Sequence, residues 1–202
     1  MNIQKIYTLN RIHNAAGNRA QCTQAGFSLV EVSIVMAIVL LLAIIAIPAV
    51  SAYVIEGKVP KVGEELTRFI LHSKVNGANG LPTPFEGIDN TNLANMVREN
   101  GIFTIAGTAE TPIVRHGLGA DGDVSIASIG GGASFTVTLS KVNHAACPSI
   151  ASVLQRVADS ITVAGKDGAA KTVKDDTTRY SALTTESHCS QGDANTFVFT
   201  VS

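Results

Sequence analysis

One carboxylate stands where charge is least favourable. Glu31 lies four residues after Phe27, at the head of a run from Val32 to Val50 in which Ser33 is the only polar side chain. A carboxylate within a membrane helix costs about 2.5–3.5 kcal/mol on insertion scales, so such a group calls for a partner. The nearest positive charge would be a new amine, created if the chain were cut between Gly26 and Phe27. Within one chain that amine lies about one helical turn from Glu31. Between parallel, axially staggered helices the two groups can sit side by side. Glu31 then serves as a register device, unsatisfied in a lone subunit and paired in a polymer.

The other residues able to do chemistry are few. Cys22 lies in the basic N-terminal stretch, and Cys147 and Cys189 lie in the body. Two cysteines in an exported domain read as a disulfide. The alternative is a zinc site built from His144, Cys147, His188 and Cys189, but adjacent His188 and Cys189 cannot both face one ion from a regular strand. Asp121-Gly122-Asp123 could hold calcium or form an acidic turn, and no EF-type ligand set follows it. Gly130-Gly131-Gly132 lacks the Lys-Ser/Thr of a phosphate loop and reads as a turn. No Ser-His-Asp or Cys-His spacing and no paired carboxylates point to catalysis. The expectation is a non-enzyme with no cofactor and no metal.

The elements that must position Glu31 follow from composition and periodicity. Hydrophobic residues make up 46% of the 202 and charged residues only 15%, against about 25% charged in an average soluble domain. The net charge of -1 conceals an asymmetry. Residues 1–26 hold Lys5, Arg11 and Arg19 and no acid, leaving 12 basic and 16 acidic residues to the rest. That first stretch has no apolar region of its own and is not an ordinary signal peptide. The apolar run after it approaches the length of a membrane-spanning helix. Basic residues before it place the N-terminus in the cytoplasm and the body outside. Pro48 should weaken or kink the helix around Ile44.

Beyond the run, Val59, Val62, Leu66, Phe69 and Ile70 form one stripe at helical spacing. Gly57 and Pro60 suggest a soft joint, and the turn formers from Asn76 to Pro82 end the pattern. One helix over 27–76, about 75 Å long, is expected, with 27–50 transmembrane and the rest amphipathic. The body, 77–202, reads as α+β. Helices are expected at Asp89–Asn100 and Ser149–Ser160. Strands are expected at Ile102–Ile105, Val124–Ile129, Ser134–Leu139 and Thr196–Val201, with weaker ones at Ile161–Val163 and Thr172–Val173.

Gly26-Phe27-Ser28-Leu29-Val30-Glu31-Val32, followed by an apolar helix with Pro48 placed 21 residues after Phe27, resembles the cleavage signal of type IV prepilins. The resemblance is strong over about Ala25–Ala52. It implies a leader, 1–26, removed between Gly26 and Phe27 by a membrane aspartic peptidase that also N-methylates Phe27. It implies that Glu31 neutralises the Phe27 amine of a neighbouring subunit and that Pro48 bends the helix. The cysteine pair bounding residues 147–189, Cys147-Pro148 leading into a helix, and the long leader are similar to type IVb pilins. Phe27 itself is the type IVa habit. The implied fold is a long N-terminal helix packed on an antiparallel-sheet head.

The function so implied is that of a major pilin, polymerising through its N-terminal helix into an extracellular filament for adhesion, aggregation or conjugative contact. Implied partners are other copies of the chain, the prepilin peptidase, a platform protein, an assembly ATPase and a secretin. The implied location is the inner membrane before assembly and the cell surface after it. A minor pilin or a type II secretion pseudopilin shares the N-terminus, though a pseudopilin usually lacks the disulfide. A DNA-receptor pilin would want a basic or aromatic patch. Lys166, Lys171, Lys174 and Arg179 are interleaved with Asp167, Asp175 and Asp176, so no nucleic acid is expected.

Overall fold

The computed structural model describes residues 26–77 and 80–202, without the side chains of Pro48 and Ala49. The expectations for residues 1–25, Cys22 among them, lie outside the described residues, as do Ala78 and Asn79 in the turn-forming stretch. The chain divides into two compact units, one up to Ala43 and one from Ile44 to Ser202.

Helix α1 spans Leu29–Asn76, so it begins two residues later than expected. Ser28 accounts for the difference: its carbonyl accepts the Val32 N–H at 3.1 Å, which makes it the half-in residue that precedes the first helical turn. In the first unit the side chains from Phe27 to Leu42 that the sequence makes apolar are exposed. The helix is long and apolar enough to cross a membrane. It continues through position 48, while the expected effect of the Pro48 ring falls on a side chain outside the described residues.

In the second unit no joint opens at Gly57 and Pro60, since helix continues through both. The stripe overrides the two poor helix formers: Val59, Val62, Leu66, Phe69 and Ile70 are all buried, and most helical stability in proteins comes from such packing rather than propensity. Pro60 is itself exposed.

The sheet beneath has seven antiparallel strands in the order β1-β2-β3-β4-β7-β5-β6. They are β1 (Thr104–Gly107), β2 (Pro112–Arg115), β3 (Asp123–Ile129), β4 (Ser134–Asn143), β5 (Ser160–Ala164), β6 (Ala170–Lys174) and β7 (Asp193–Val201). Alternation sets which faces turn inward: Phe135, Val137 and Leu139 on β4, and Phe197, Phe199 and Val201 on β7, are fully buried. Phe69 of α1 meets Phe135 edge-on at 6.3 Å, and Phe85 meets the same ring at 4.9 Å.

Three further helices complete the unit: α2 (Asn90–Val97), α3 (Cys147–Leu154) and α4 (Ala182–Ser187). Asp89 caps α2, accepting from the Thr91 and Asn92 amides, and Asn92 bonds back to the Asp89 amide, a reciprocal capping box. The helix ends at Val97 rather than Asn100, because Asn100 turns its side-chain oxygen to the Ile102 amide. The first strand is correspondingly displaced to Thr104–Gly107.

Helix α3 is shorter than expected, for two reasons. Residues from Ser160 onward are taken into the sheet between β7 and β6. Lys174 then donates to the carbonyls of Gln155 and Ala158 at 2.6 and 2.5 Å, satisfying the end of the helix. The expectations did not include β2 or α4. Both are short, and β2 opens on a proline, which strands admit at their first position.

Gly63 of α1 brings that helix against α3: a Cβ there would sit 2.5 Å from Val153 Cγ1. Phe135→Ala empties the meeting point of Phe69 and Phe85 and should lower the stability of the second unit by about 3–5 kcal/mol. Urea unfolding of the detergent-solubilised chain, followed by circular dichroism, measures the loss.

Candidate assembly segment and disulfide-bounded region

Glu31 occupies the first turn of α1 and its side chain is exposed. Amides of a first helical turn lack intrahelical acceptors and carry the positive end of the helix dipole. They can return only about 0.3–1 kcal/mol to an acid placed there. That falls short of the roughly 2.5–3.5 kcal/mol cost of carrying a carboxylate into a bilayer. Between Glu31 and Glu56 the chain contains no charged residue, so the helix supplies no internal counter-ion over that span. The compensating cation has to come from elsewhere.

Gly26, Phe27 and Ser28 lie outside regular structure. A Cβ on Gly26 would meet nothing within 4 Å, and Phe27 is 81% exposed. An open backbone of this kind is the form in which a chain enters a peptidase, since a helical bond has its amide and carbonyl engaged. Ser33 bonds back to the Val30 carbonyl at 2.8 Å, which removes the run's one polar side chain from the list of unsatisfied groups.

In the second unit Cys147 and Cys189 form a disulfide with Cα atoms 6.2 Å apart. It ties the start of α3 to the residue group following α4 and encloses β5 and β6. Tyr180 reinforces the tie: its hydroxyl donates to the Pro148 carbonyl at 2.9 Å and contacts Ser152 Oγ at 2.9 Å. Both thiols being consumed, the zinc set loses its sulfur ligands. His144 lies 3.3 Å from the Gln191 amide. Among the described residues no three His, Cys, Asp or Glu side chains gather as metal ligands do. Asp121 pairs with Arg115, and Asp123 bonds to the Ser140 hydroxyl and, through its amide, to the same oxygen at 3.1 Å. The three glycines from Gly130 form a turn of 3-10 helix, with Gly131 at a φ of 66°.

Sequence reasoning passed over His116, which is fully buried. Its Nδ1 accepts the Leu118 amide proton at 2.9 Å. The ring proton therefore sits on Nε2, which donates to the Ser140 carbonyl at 2.8 Å. Gly122 packs so tightly on the ring that a Cβ there would lie 2.6 Å from Nε2. Burial holds the imidazole pKa below its usual 6.5, against smaller opposing effects of the Ser140 carbonyl and the Asp123 charge. The glycines at 117, 119 and 122 were the available signal, since a Gly-rich loop flanking one histidine leaves room for close approach.

A family profile described as the prokaryotic N-terminal methylation motif matches residues 22–47, and one described as PilS N terminal matches residues 119–202. The chain's N-terminal segment is that of a type IV prepilin. Among solved structures, the prepilin is similar to a type IVb pilin from Salmonella typhi, at 20% identity and a TM-score of 0.47 over 69% of this chain and 94% of that one. No curated protein matches it. As a prepilin it is a pilus subunit that self-assembles, is processed by the prepilin peptidase, and is anchored in a membrane before it enters a surface pilus.

Replacing Cys147 and Cys189 together by Ala frees a loop with a sequence separation of 42. Stability should fall by about 4 kcal/mol, seen as a lower urea midpoint that reductant no longer changes. For His116 the unfolded chain binds a proton near pH 6.5 and the folded one only at lower pH. Its contribution is therefore complete above 6.5 and declines as pH falls below that value. Urea midpoints between pH 7.5 and 5 should decline with acid, and His116→Asn should flatten that slope.

Proposed function

We propose that this prepilin is the major, filament-forming subunit of its pilus. The observation that carries the reading is Glu31, the single charge heading an exposed apolar helix that contains no other charge before Glu56. Cleavage between Gly26 and Phe27 releases residues 1–26 and creates an amine, which the peptidase methylates. In the filament that amine lies beside Glu31 of the next helix. The pair cancels the charge that each subunit carries into the apolar core. Covering the apolar surface from Phe27 to Val50 with other helices supplies the driving force as subunits leave the bilayer.

The parts of the subunit follow. Residues 27–76 form the assembly helix, with 27–50 in the membrane and then in the filament core, and Pro48 bends it. Residues 77–202 form the head, which lies outside the cell and exposes the disulfide-bounded region, 147–189. Before assembly the N-terminus is cytoplasmic. The platform protein, the ATPase and the secretin act on the subunit from outside this chain. The filament serves adhesion, aggregation or mating contact. The disulfide favours a pilin over a secretion pseudopilin.

The test is a Glu31→Ala chain expressed in the native host. Edman sequencing of its membrane-bound subunit should begin at residue 27, while sheared fibres visible by electron microscopy should fall at least tenfold, the factor set by about 1.4 kcal/mol of lost pairing. Normal fibre numbers would remove Glu31 from assembly, and a mature chain beginning elsewhere would remove the cleavage site.

A further inference from the structure

We propose that the Asn100–Gly101 linkage is a site of spontaneous modification, at which Asn100 loses its side-chain nitrogen through a cyclic imide and becomes an acid that pairs with Lys58 and Lys61. The inference needs neither cleavage nor filament formation, so it stands or falls apart from the function proposed above.

The loop after α2 carries the pair. The Asn100 side-chain oxygen accepts the Ile102 amide at 3.3 Å, closing a local turn of the Asx kind. That bond fixes the orientation of the amide group. The oxygen is the bonded end, and the nitrogen is buried with no hydrogen-bond partner. A donor so placed is a cost that the folded chain sheds when the nitrogen leaves. Gly101 is exposed, its φ is 64°, and a Cβ there would meet nothing within 4 Å. Lacking a side chain, it lets its nitrogen swing toward the neighbouring Cγ. It lies outside helix and strand, and its N–H enters none of the hydrogen bonds among the described residues.

Water acts first as base and then as the second reactant. The Gly101 nitrogen gives up its proton and attacks Asn100 Cγ. The Ile102 N–H is already bonded to the oxygen on which negative charge develops, the place of an oxyanion donor. The Cγ–Nδ2 bond then breaks, the departing nitrogen takes up a proton and leaves as ammonia, and a cyclic imide remains. Water adds to one imide carbonyl and breaks its bond to the Gly101 nitrogen. Opening at Cγ gives aspartate, and opening at the main-chain carbon gives isoaspartate. Either way one carboxylate is formed, and nothing is oxidised or reduced. Asn100 and Gly101 line a cavity of about 300 Å³ together with Lys58 and Lys61. Lys58 spends one N–H on the Gly117 carbonyl at 3.4 Å. Lys61 is exposed and enters none of the ion pairs of the described residues. Their charge favours the deprotonated nitrogen before the reaction and the carboxylate after it.

A second Asn-Gly pair shows what the fold can withhold. Asn76–Gly77 closes α1, and both reacting groups there are engaged. The Gly77 N–H donates to the Ser73 carbonyl at 2.8 Å, and the Asn76 side-chain nitrogen donates to the His72 carbonyl at 2.8 Å. A Cβ on Gly77 would lie 3.2 Å from the Ser73 oxygen, so the backbone has little room to turn. Alike as dipeptides, the two pairs differ in their surroundings, and folding should separate their rates.

The test holds the full-length chain folded in detergent, in mildly alkaline buffer made with heavy-oxygen water. Trypsin then releases the peptide 99–115, in which Asn100 is the only Asn. Mass spectrometry reads its conversion to the acid and the solvent oxygen it takes up. Fragmentation of the peptide 75–98 reads Asn76 apart from Asn79. Asn100 should convert at least about tenfold faster than Asn76, within what one aligned oxyanion donor contributes. In urea the two rates should converge. Conversion of Asn100 no faster than that of Asn76 in the folded chain overturns the proposal, as does a ratio that unfolding leaves unchanged. Lys58→Gln with Lys61→Gln should slow Asn100 and leave Asn76 alone. For the product, Asn100→Asp should lower the unfolding equilibrium constant about threefold, the scale of one exposed ion pair. That gain should vanish when both lysines are replaced by Gln. An Asn100→Asp chain no more stable than the unaltered one overturns the pairing.

Discussion

Everything in this subunit is organised around a charge that one copy cannot neutralise. Glu31 is carried at the front of an apolar helix, where the helix's own free amides return only a fraction of the desolvation cost. A soluble protein would discard such a residue, and a simple membrane anchor would gain by losing it. The proposed role accounts for its presence, since the lowest free energy then belongs to an assembly. The same logic holds for the apolar side chains behind it, which are uncovered in the isolated subunit. A helix that is apolar all round requires either lipid or other helices on every side.

The head shows how one helix can serve two environments. From Val59 onward α1 becomes amphipathic, and its stripe closes the core of a seven-stranded sheet. Leu66, Phe69 and Ile70 are as buried as the strand residues they face. The packing keeps the helix continuous through Gly57 and Pro60, where local propensity alone predicts weakness. Pulling the assembly helix out of register would thus disturb the head core. Further restraint comes from the disulfide, Tyr180 and the Lys174 caps, which fix the Cys147–Cys189 region despite its short and irregular elements.

The legibility of these features in the sequence was uneven, and for physical reasons. Alternation on β4 and β7 was plain because each strand has one face in the core and one outside, and a period of two survives without any tertiary knowledge. The ends of α2 and α3 were not. Asn100 gives its side chain to an amide two residues on, and Ser160 is recruited by β7 across a long separation. His116 was invisible for the same reason. Its neutral state depends on the Leu118 amide, the Ser140 carbonyl and the close approach of Gly122, which meet only when β2 and β4 are placed.

The sequence by itself determined the segment to which the assembly role is assigned. Gly26-Phe27, Glu31, an uncharged run and Pro48 lie on one continuous segment, and the role proposed for them depends only on spacing along the chain. It also named the two cysteines that could pair. Only the tertiary structure decided that they do pair, that Tyr180 ties Pro148 and Ser152 beside them, and that His116 is buried between β2 and β4. Local spacing fixes what one helix can present. Contacts between distant segments depend on strand order and register, which no single stretch of the chain encodes.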